Sequence, residues 1–334
     1  MSSVRGHPHN PQSGRLPAAW QVHVSAIRDD HTSGAASLTA RAVEALVDLA
    51  ASLQDSWEGV TMAGMISSVN TAVRELAAAQ PAMAPLRRLC WAVEAAAENA
   101  AEEADASALA TAVRQAAAAF NAAMQEHQRQ AAEHAAALLP THACVLTHSA
   151  SSAVEAALLR AYSSGRLARV SCLEARPLCE GRSLATRLAE AGIPTALAVD
   201  ALAARLVSQA DVVLVGGDSV APGGLINKAG TATLALAARA CQVPVYAVCQ
   251  SEKFLPSLPR TRQTGARPEG FAVADRAQLA GEVLPDPVPG LTVANYYFDL
   301  TPLDYLTAVI SEAGPLSANM VRGLATGLRA PSSG

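Results

Sequence analysis

The sequence predicts an α/β protein, in which an N-terminal Ala-rich helical domain precedes a Rossmann-like domain, a parallel sheet with helices on both faces. Three observations predict this class. The chain has 334 residues, a length that suits two domains. Residues 91–140 hold 22 alanines and no glycine, a composition typical of packed helices. After Pro140, short apolar runs alternate with amphipathic stretches, which is the pattern of a parallel sheet covered on both sides.

The N-terminal part of the chain divides into a tail and a helical domain. Residues 1–20 contain Pro, Gly and His but no apolar core, which predicts a flexible tail that is neither a signal peptide nor a membrane anchor. Residues 21–139 form the predicted helical domain, and Pro81, Pro85 and Pro140 separate its helices. Because an alanine face buries little apolar area per residue, we expect this domain to depend on docking against the rest of the protein.

Residues 140–330 form the predicted Rossmann-like domain. Its predicted strands lie at residues 143–147, 169–173, 194–199, 211–215 and 243–248, and its predicted helices lie at residues 152–163, 183–191, 201–209 and 229–241. In such sheets, ligands bind beyond the carboxyl ends of the strands, where loops and helix N-termini converge. The residues that follow each strand are therefore the candidates for a functional site.

Charge and cysteine content limit the classes of function. A net charge of −4 provides no excess of cations for the phosphates of a nucleic acid, and no run of about 18 apolar residues could span a bilayer. The six cysteines form no CxxC pair and show no spacing typical of metal ligands, which favours reduced thiols in a cytoplasmic protein without a metal site. Only two of the 25 basic residues are lysines, Lys228 and Lys253, which suggests positions that need a compact ammonium group.

A run of hydroxyl side chains follows the first strand, from Ser149 to Ser152. Hydroxyls and free backbone N–H groups at a helix N-terminus favour an anion such as phosphate. The alternative is simple helix capping, in which Ser151 caps the helix or Ser152 forms a capping box with Glu155.

The second strand ends at Glu174, and Arg176 follows two residues later. Side chains two apart on a strand share a face. We expect either a structural ion pair between the two or a role for them in the site.

The fourth and fifth strands are followed by the most informative residues. Asp218 comes after two glycines at the end of a buried strand, a partly desolvated position in which the pKa of a carboxyl group rises toward the range used in acid–base catalysis. Asn227 and Lys228 are predicted to open the next helix, and Lys253 follows the fifth strand. Both lysines thus lie at one edge of the sheet, which favours a phosphorylated ligand. The alternative for Asp218 is that it only caps the helix.

Four segments of the sheet domain resemble the translation initiation factor 2B alpha/beta/delta superfamily, which includes ribose-1,5-bisphosphate isomerase and methylthioribose-1-phosphate isomerase. They are VLTHSASSAVEAAL, LEARPLCEGRSLATRLAEAGIP, VLVGGDSVAPGGLINKAGTATLALAA and QSEKF. The stretch from Asn295 to Pro302, leading toward Glu312 and Gly314, is similar to the C-terminal pattern of the family. Ser33-Gly34-Ala35 looks like its N-terminal Arg-Gly-Ala loop. The resemblance spans most of the chain after residue 25.

The resemblance implies a set of site residues. Asp218 stands at the aspartate that the isomerases use, together with a cysteine, to move a proton between C2 and C1 of an opened sugar phosphate. Ser149 stands at the position of that cysteine, and a hydroxyl is a far poorer proton acceptor than a thiol. Ser33 and Gln80 stand where the isomerases carry arginines for phosphate. The positions that match ligand-binding residues of the family are Gly34, Ala35, Ser151, Ser152, Asn227, Lys228 and Lys253.

Three functions follow from these residues. The first is an aldose–ketose isomerase of a sugar 1-phosphate, with Asp218 as proton donor and another group in place of the thiol; Cys144 is expected to point away from the site. The second is a non-catalytic regulatory protein that binds a phosphorylated sugar or nucleotide, since the regulatory subunits of the initiation factor also lack the cysteine. The third is an oligomeric scaffold with a vestigial pocket. The resemblance also implies a homodimer or a larger homo-oligomer, and no cofactor is predicted.

Overall fold

The structure is a computed structural model that describes residues 16–55, 60–100, 105–257, 277–286 and 288–328. Within these ranges, five helices precede the first strand: α1 (Ala18–Asp29), α2 (Ala35–Asp55), α3 (Met62–Ala79), α4 (Ala84–Ala100) and α5 (Ala106–Leu138). The Ala-rich stretch accordingly forms the second half of α4 and the 33 residues of α5. Pro85 lies in the first turn of α4, where a missing backbone N–H costs no helical hydrogen bond.

The predicted tail at residues 1–20 extends too far into the chain. Residues 1–15 lie outside the described residues, but α1 begins at Ala18 and the Trp20 side chain is only 2% exposed. The indole N–H of Trp20 donates a hydrogen bond to Glu75 on α3, 2.9 Å away. The end of the predicted tail is therefore part of the helical core, because a large aromatic ring finds both an apolar site and a partner for its N–H there.

Helix α5 packs into two cores. Its first half contributes Leu109, Val113 and Ala117 to the core of the helical region. Its last turns contribute Ala131 and Ala135 to the core beneath the sheet. The alanine face of α5 docks as expected, because its small side chains allow close approach to the helix at Ser152–Ser163 (α6) and the strand at Ala308–Ser311 (β9).

Ten helices and ten strands are present in the described part of the chain, and seven of the strands form the main sheet. Its strands are β1 (Ala143–His148), β2 (Leu167–Leu173), β3 (Thr195–Ala198), β4 (Val212–Val215), β7 (Val245–Val248), β9 (Ala308–Ser311) and β10 (Gly314–Leu316). The order across the sheet is β10-β9-β7-β4-β1-β2-β3, and only β10 is antiparallel to its neighbour. The connection direction reverses between β1 and β4, and the crevice at such a point is where ligands bind in open α/β sheets.

Helices cover both faces of this sheet. They are α6 (Ser152–Ser163), α7 (Glu180–Glu190), α8 (Ala203–Val207), α9 (Thr231–Ala240) and α10 (Ala318–Gly327). Successive strand residues point to opposite faces, so Val145 of β1 packs under α5, α6 and α7, whereas Leu146 packs under α8, α9 and α10. The α/β class and the mainly parallel sheet are as the sequence predicts. The predicted helix at residues 201–209 is shorter, with a 3₁₀ turn over residues 200–202 and α8 ending at Val207.

A second, antiparallel sheet was not predicted from the sequence. It consists of β5 (Ser219–Ala221), β6 (Gly224–Lys228) and β8 (Phe298–Thr301). Asn227 and Lys228 therefore end a buried strand, and the prediction that they open a helix is wrong, since α9 begins at Thr231. Strand β6 is stabilised by backbone pairing with β8, in which Asn227 lies opposite Asp299. That partner is distant in sequence and gives no local signal.

Candidate functional site

A cavity of about 440 Å³ lies where β1 and β4 end. The N-terminus of α2 and the N-terminus of α7 contribute to its wall. All nine residues that the sequence analysis selected line this cavity: Gly34, Ala35, Ser149, Ser151, Ser152, Asp218, Asn227, Lys228 and Lys253. Parallel strands deliver their carboxyl ends to one edge, and this geometry brings together residues that are far apart in the chain.

Asp218 is held by its backbone, and its carboxyl group faces the cavity. Its N–H donates to Ile226 and its carbonyl accepts from Ala84, whereas no hydrogen bond or ion pair engages its side chain in the described part of the chain. Burial raises the pKa of the Asp218 carboxyl group, although the positive charges of Lys253 and Lys228 act in the opposite direction. A raised pKa favours the protonated carboxyl group, which is the form that can donate a proton.

Gly217 lets the end of β4 approach its neighbours closely. A Cβ atom at this position would lie 2.6 Å from the Cys249 sulfur and 2.4 Å from a methyl group of Leu225. No side chain fits at these distances. The glycine before Asp218 therefore allows the close packing that positions the aspartate over the sheet edge.

The aspartate that caps α9 is Asp299 and not Asp218. The Asp299 carboxylate accepts hydrogen bonds from the backbone N–H groups of Gly230 and Ala232, at 2.8 and 3.1 Å. Burial raises the pKa of Asp299 to about 6. The capping interpretation of Asp218 is thus wrong, because another carboxylate already occupies that position.

Ser149 sits at the turn between β1 and α6 in a left-handed conformation, with φ of 65°. Ser151 caps α6 by accepting a hydrogen bond from the Val154 N–H at 3.5 Å. Ser151 also lines the cavity, so helix capping and a position in the candidate site do not exclude each other for this residue. The capping box between Ser152 and Glu155 is not formed. Ser152 donates to Gln128 on α5 at 3.2 Å, and Glu155 is paired with an arginine of α7.

The two lysines have different surroundings, although both are only 7% exposed. The Lys228 ammonium lies 2.5 Å from Oε1 of Glu180 and sits over the rings of Tyr297 and Phe298 at 5.0 and 5.4 Å. Within the residues that the structure describes, no ion pair engages Lys253. The charge of Lys228 is therefore compensated by the protein, whereas that of Lys253 is available to a ligand.

Glu180 is a cavity residue that the sequence analysis missed. It is the first residue of α7, and α7 starts three residues earlier than the sequence predicts. The next residue, Gly181, permits this position, because a Cβ atom there would lie 1.9 Å from the Leu173 carbonyl oxygen. An acidic residue in the first turn of a helix is common for reasons of capping alone, so the sequence carries no specific signal for it.

The structure also shows where Glu174, Gln80 and Ser33 lie relative to the cavity. Glu174 pairs with Arg182 at 2.6 Å instead of Arg176, and it does not line the cavity. Gln80 lies outside the cavity, where its side-chain amide donates to the carbonyls of residues 27, 28 and 30 and ties α1 to the end of α3. Ser33 does lie in the cavity wall, as its place beside Gly34 predicts.

The positions of the cysteines and of possible metal ligands bear on the sequence-based expectations. Cys90, Cys172 and Cys249 are buried, whereas Cys241 is exposed. Cys144 lies at the opposite end of β1 from Ser149, as expected, and its sulfur accepts a hydrogen bond from Arg169. In the parts of the chain that the structure describes, no group of three or more His, Cys, Asp or Glu side chains could hold a metal ion. None of the described helices combines the length and the apolar character needed to cross a bilayer.

Comparison with known proteins gives consistent matches. The model of the initiation factor 2 subunit family matches residues 31–318. The ribose 1,5-bisphosphate isomerase of Archaeoglobus fulgidus is 35% identical over 179 residues, which are 53% of this chain and 54% of that protein. The 5-deoxyribose 1-phosphate isomerase of Moorella thermoacetica is 32% identical over 284 residues, 79% of this chain and 78% of that protein.

A solved structure shares the fold. The translation initiation factor eIF-2B of Pyrococcus horikoshii superimposes with a TM-score of 0.73 at 24% identity, and covers 90% of this chain and 98% of that one. The alignment with the ribose 1,5-bisphosphate isomerases spans only about half of their length.

Proposed function

The chain belongs to the initiation factor 2 subunit family, and we propose that it binds a phosphorylated ribose sugar in the cavity at the ends of β1 and β4 and isomerises it from an aldose to a ketose. The observation that carries the proposal is the Asp218 carboxyl group. It lines this cavity together with Lys253, burial raises its pKa, and no described residue forms a hydrogen bond or ion pair with it. The names of the relatives, ribose 1,5-bisphosphate isomerase and 5-deoxyribose 1-phosphate isomerase, support this class of substrate.

Phosphate recognition is assigned to Lys253 and two helix N-termini. Gly34 and Ala35 present the start of α2 to the cavity, and Ser151 and Ser152 present the start of α6. Backbone N–H groups at these positions and the helix dipole attract an anion, and a buried ammonium adds a charge-assisted hydrogen bond. Asn227 is fixed beside them by donating to the Thr231 hydroxyl at 3.0 Å, and contributes to holding the sugar.

Ser149 favours a second candidate function, a regulatory protein that binds the same class of ligand without converting it. The isomerases that the sequence resembles carry a thiol at this position, and a serine hydroxyl has a far higher pKa. In that case Asp218 would only bind sugar hydroxyl groups. The ligand is then a phosphorylated sugar or a nucleotide.

The two candidates are separated by a binding screen followed by a turnover assay. Thermal shifts are measured with ribose 1,5-bisphosphate, methylthioribose 1-phosphate, 5-deoxyribose 1-phosphate and nucleoside monophosphates, since a ligand that binds the native state raises the melting temperature. Each ligand that binds is then followed by NMR for the appearance of the ketose. We expect a sugar 1-phosphate to bind and to be converted, and the Asp218→Asn variant to bind without conversion. Binding without conversion by the wild type would establish the regulatory function instead.

We further propose that residues 140–330 act as a Rossmann-like phosphosugar-binding domain and that the protein is a cytoplasmic homodimer. The strand order with a reversal between β1 and β4 supports the first point. The second is supported by β3, an edge strand whose Leu197 and the following Val199 are about half exposed. Sedimentation at several protein concentrations tests the dimer, which a single monomer mass at all concentrations would disprove.

A further inference from the structure

The proposed isomerisation needs a proton acceptor as well as a proton donor. Asp218 supplies the donor, but Ser149 has no hydrogen-bond partner among the described residues that would activate its hydroxyl group. Another group in the cavity must take the proton from carbon. The inference below rests on the proposed function and names that group.

The Glu180 side chain carries a carboxyl group in the wall of the same cavity. Its Oε1 atom lies 2.5 Å from the Lys228 ammonium, and its side chain is only 11% exposed. The N-terminus of α7, at which Glu180 is the first residue, also favours a negative charge. The adjacent ammonium and the helix N-terminus both attract a negative charge.

In the described part of the protein, the second oxygen of this carboxylate, Oε2, is buried and has no hydrogen-bond partner. Buried polar atoms are nearly always satisfied, and exceptions are concentrated where an atom has a chemical task. Lys228 therefore fixes one oxygen of the carboxylate, and rotation about the terminal torsion angle would turn the other oxygen toward the cavity, where it can accept a proton.

Glu180 and Asp218 are two carboxyl groups that line one cavity and have different surroundings. Burial raises the pKa of Asp218 against the charges of Lys253 and Lys228, and the charge of Glu180 adds to the increase, whereas Glu180 itself is paired with the Lys228 ammonium. Two carboxyl groups whose surroundings differ in this way serve as the base and the acid of one reaction.

We propose that Glu180 is the catalytic base, which takes the proton from C2 of the sugar 1-phosphate, and that Asp218 is its partner acid. Lys228 acts as a positioning residue for this base, and Lys253 holds the phosphate. The arrangement takes over the task for which the isomerases use a thiol.

The reaction balances with these two groups alone. Asp218 gives its proton to the ring oxygen as the bond between this oxygen and C1 breaks. Glu180 takes the proton of C2, and the electron pair of the C2–H bond becomes the C1–C2 double bond of an enol phosphate. Glu180 then returns the proton to C1, and Asp218 takes the proton of the C2 hydroxyl group as the ketone forms. Both side chains return to their starting states, and nothing is oxidised or reduced overall.

Cys179 is the main rival for this role. It lines the cavity beside Glu180, and it is the N-cap residue of α7. Its thiol donates to the Pro177 carbonyl oxygen, with a sulfur–oxygen distance of 3.6 Å. No arginine, lysine or histidine side chain forms a hydrogen bond with its sulfur in the described residues. The geometry therefore favours the carboxylate.

The test uses the full chain and the sugar 1-phosphate that the wild type binds most tightly in the thermal-shift screen. Two quantities are measured: kcat, and the rate at which the C2 proton of the bound sugar exchanges with deuterium from solvent. We expect Glu180→Gln to lower both at least about 100-fold, the contribution of one general base. Its Kd for the sugar phosphate is expected to stay the same or to decrease, because Lys228 gains a free charge. The matched control is Glu174→Gln, which changes an ion-paired carboxylate outside the cavity and should keep both rates.

The outcomes distinguish this inference from the proposed function. If the wild type converts the sugar and Glu180→Gln converts it equally fast, the inference fails and the isomerase remains. If Cys179→Ser loses the exchange and Glu180→Gln keeps it, the base is the thiol and the inference is overturned. If the bound sugar shows neither exchange nor turnover with the wild type, both proposals are wrong. Should Glu180→Gln fail to fold, the double variant Lys228→Met/Glu180→Gln removes both charges, and retained exchange in that variant would refute the assignment.

Discussion

The two cavity lysines should differ in what their replacement by methionine changes. Lys228→Met should mainly lower the stability of the protein, whereas Lys253→Met should mainly weaken the binding of the phosphorylated sugar. In Lys228→Met, the Glu180 carboxylate keeps its 11% exposure but loses its ammonium partner. Removing one member of a buried ion pair costs about 3–5 kcal/mol of unfolding free energy. In Lys253→Met, no ion pair is broken among the described residues, and methionine retains most of the apolar stem. We expect its unfolding free energy to change by less than about 1 kcal/mol.

Binding should show the reverse order. Lys253→Met removes a charge-assisted hydrogen bond to phosphate worth about 1.5–3 kcal/mol, so the Kd of the phosphorylated sugar should increase about 10- to 150-fold. The double variant Lys228→Met/Glu180→Gln replaces a compensated pair by neutral groups. It should recover most of the lost stability and bind the phosphorylated sugar within about threefold of the wild type.

The assays are urea unfolding for stability and isothermal titration calorimetry for Kd, with the unphosphorylated sugar as the control ligand. That sugar should bind Lys253→Met and the wild type equally. The reasoning is refuted if the double variant loses as much affinity for the phosphorylated sugar as Lys253→Met does, because Lys228 would then bind phosphate itself. It is refuted as well if Lys228→Met is as stable as the wild type.

Three further predictions concern other parts of the chain. Ser149→Ala should change the Kd of the phosphorylated sugar by less than about threefold in calorimetry, since it removes a single hydroxyl contact, and a larger loss would give Ser149 a binding role. Trp20→Ala should lower the free energy of urea unfolding by about 3–5 kcal/mol, since it leaves a cavity in the helical core. An unchanged free energy of unfolding would show that Trp20 belongs to a flexible tail. The pKa of Asp299 in the folded protein, about 6, exceeds the ordinary value of 3.8. The unfolded state therefore releases this proton first, and stability falls as pH rises from about 4 to 6. The loss should reach about 3 kcal/mol in urea unfolding relative to Asp299→Asn, and parallel pH profiles of the two proteins would contradict it.

The composition of the cavity could be predicted from the sequence because its residues follow a simple geometric rule. Ser149 follows β1, Asp218 follows β4 and Lys253 follows β7, and parallel strands place these ends at one edge. Local patterns in the sequence were sufficient to find these three strands. The resemblance then selected Gly34 and Ala35, which no strand pattern would have indicated.

The parts that the sequence did not predict depend on contacts between distant residues. Strand β6 exists because it pairs with β8, and nothing near Asn227 distinguishes a strand end from a helix start. The Glu180 side chain is held in the site by its ion pair with Lys228, which is distant in sequence, and by the close approach of the backbone to β2 that Gly181 permits. Such pairings depend on the assembled fold and are invisible in a window of neighbouring residues.

Helix α5 has a consequence for folding cooperativity. Because its first half belongs to the core of the helical region and its last turns to the core beneath the sheet, neither core is complete without this one continuous element. The helical and sheet regions should therefore unfold together in one transition, and the amide protons along α5 should exchange with solvent at a similar, global rate. A fragment that begins at residue 140 would lack the alanine face beneath its sheet, so cutting the chain there yields an incomplete cooperative unit.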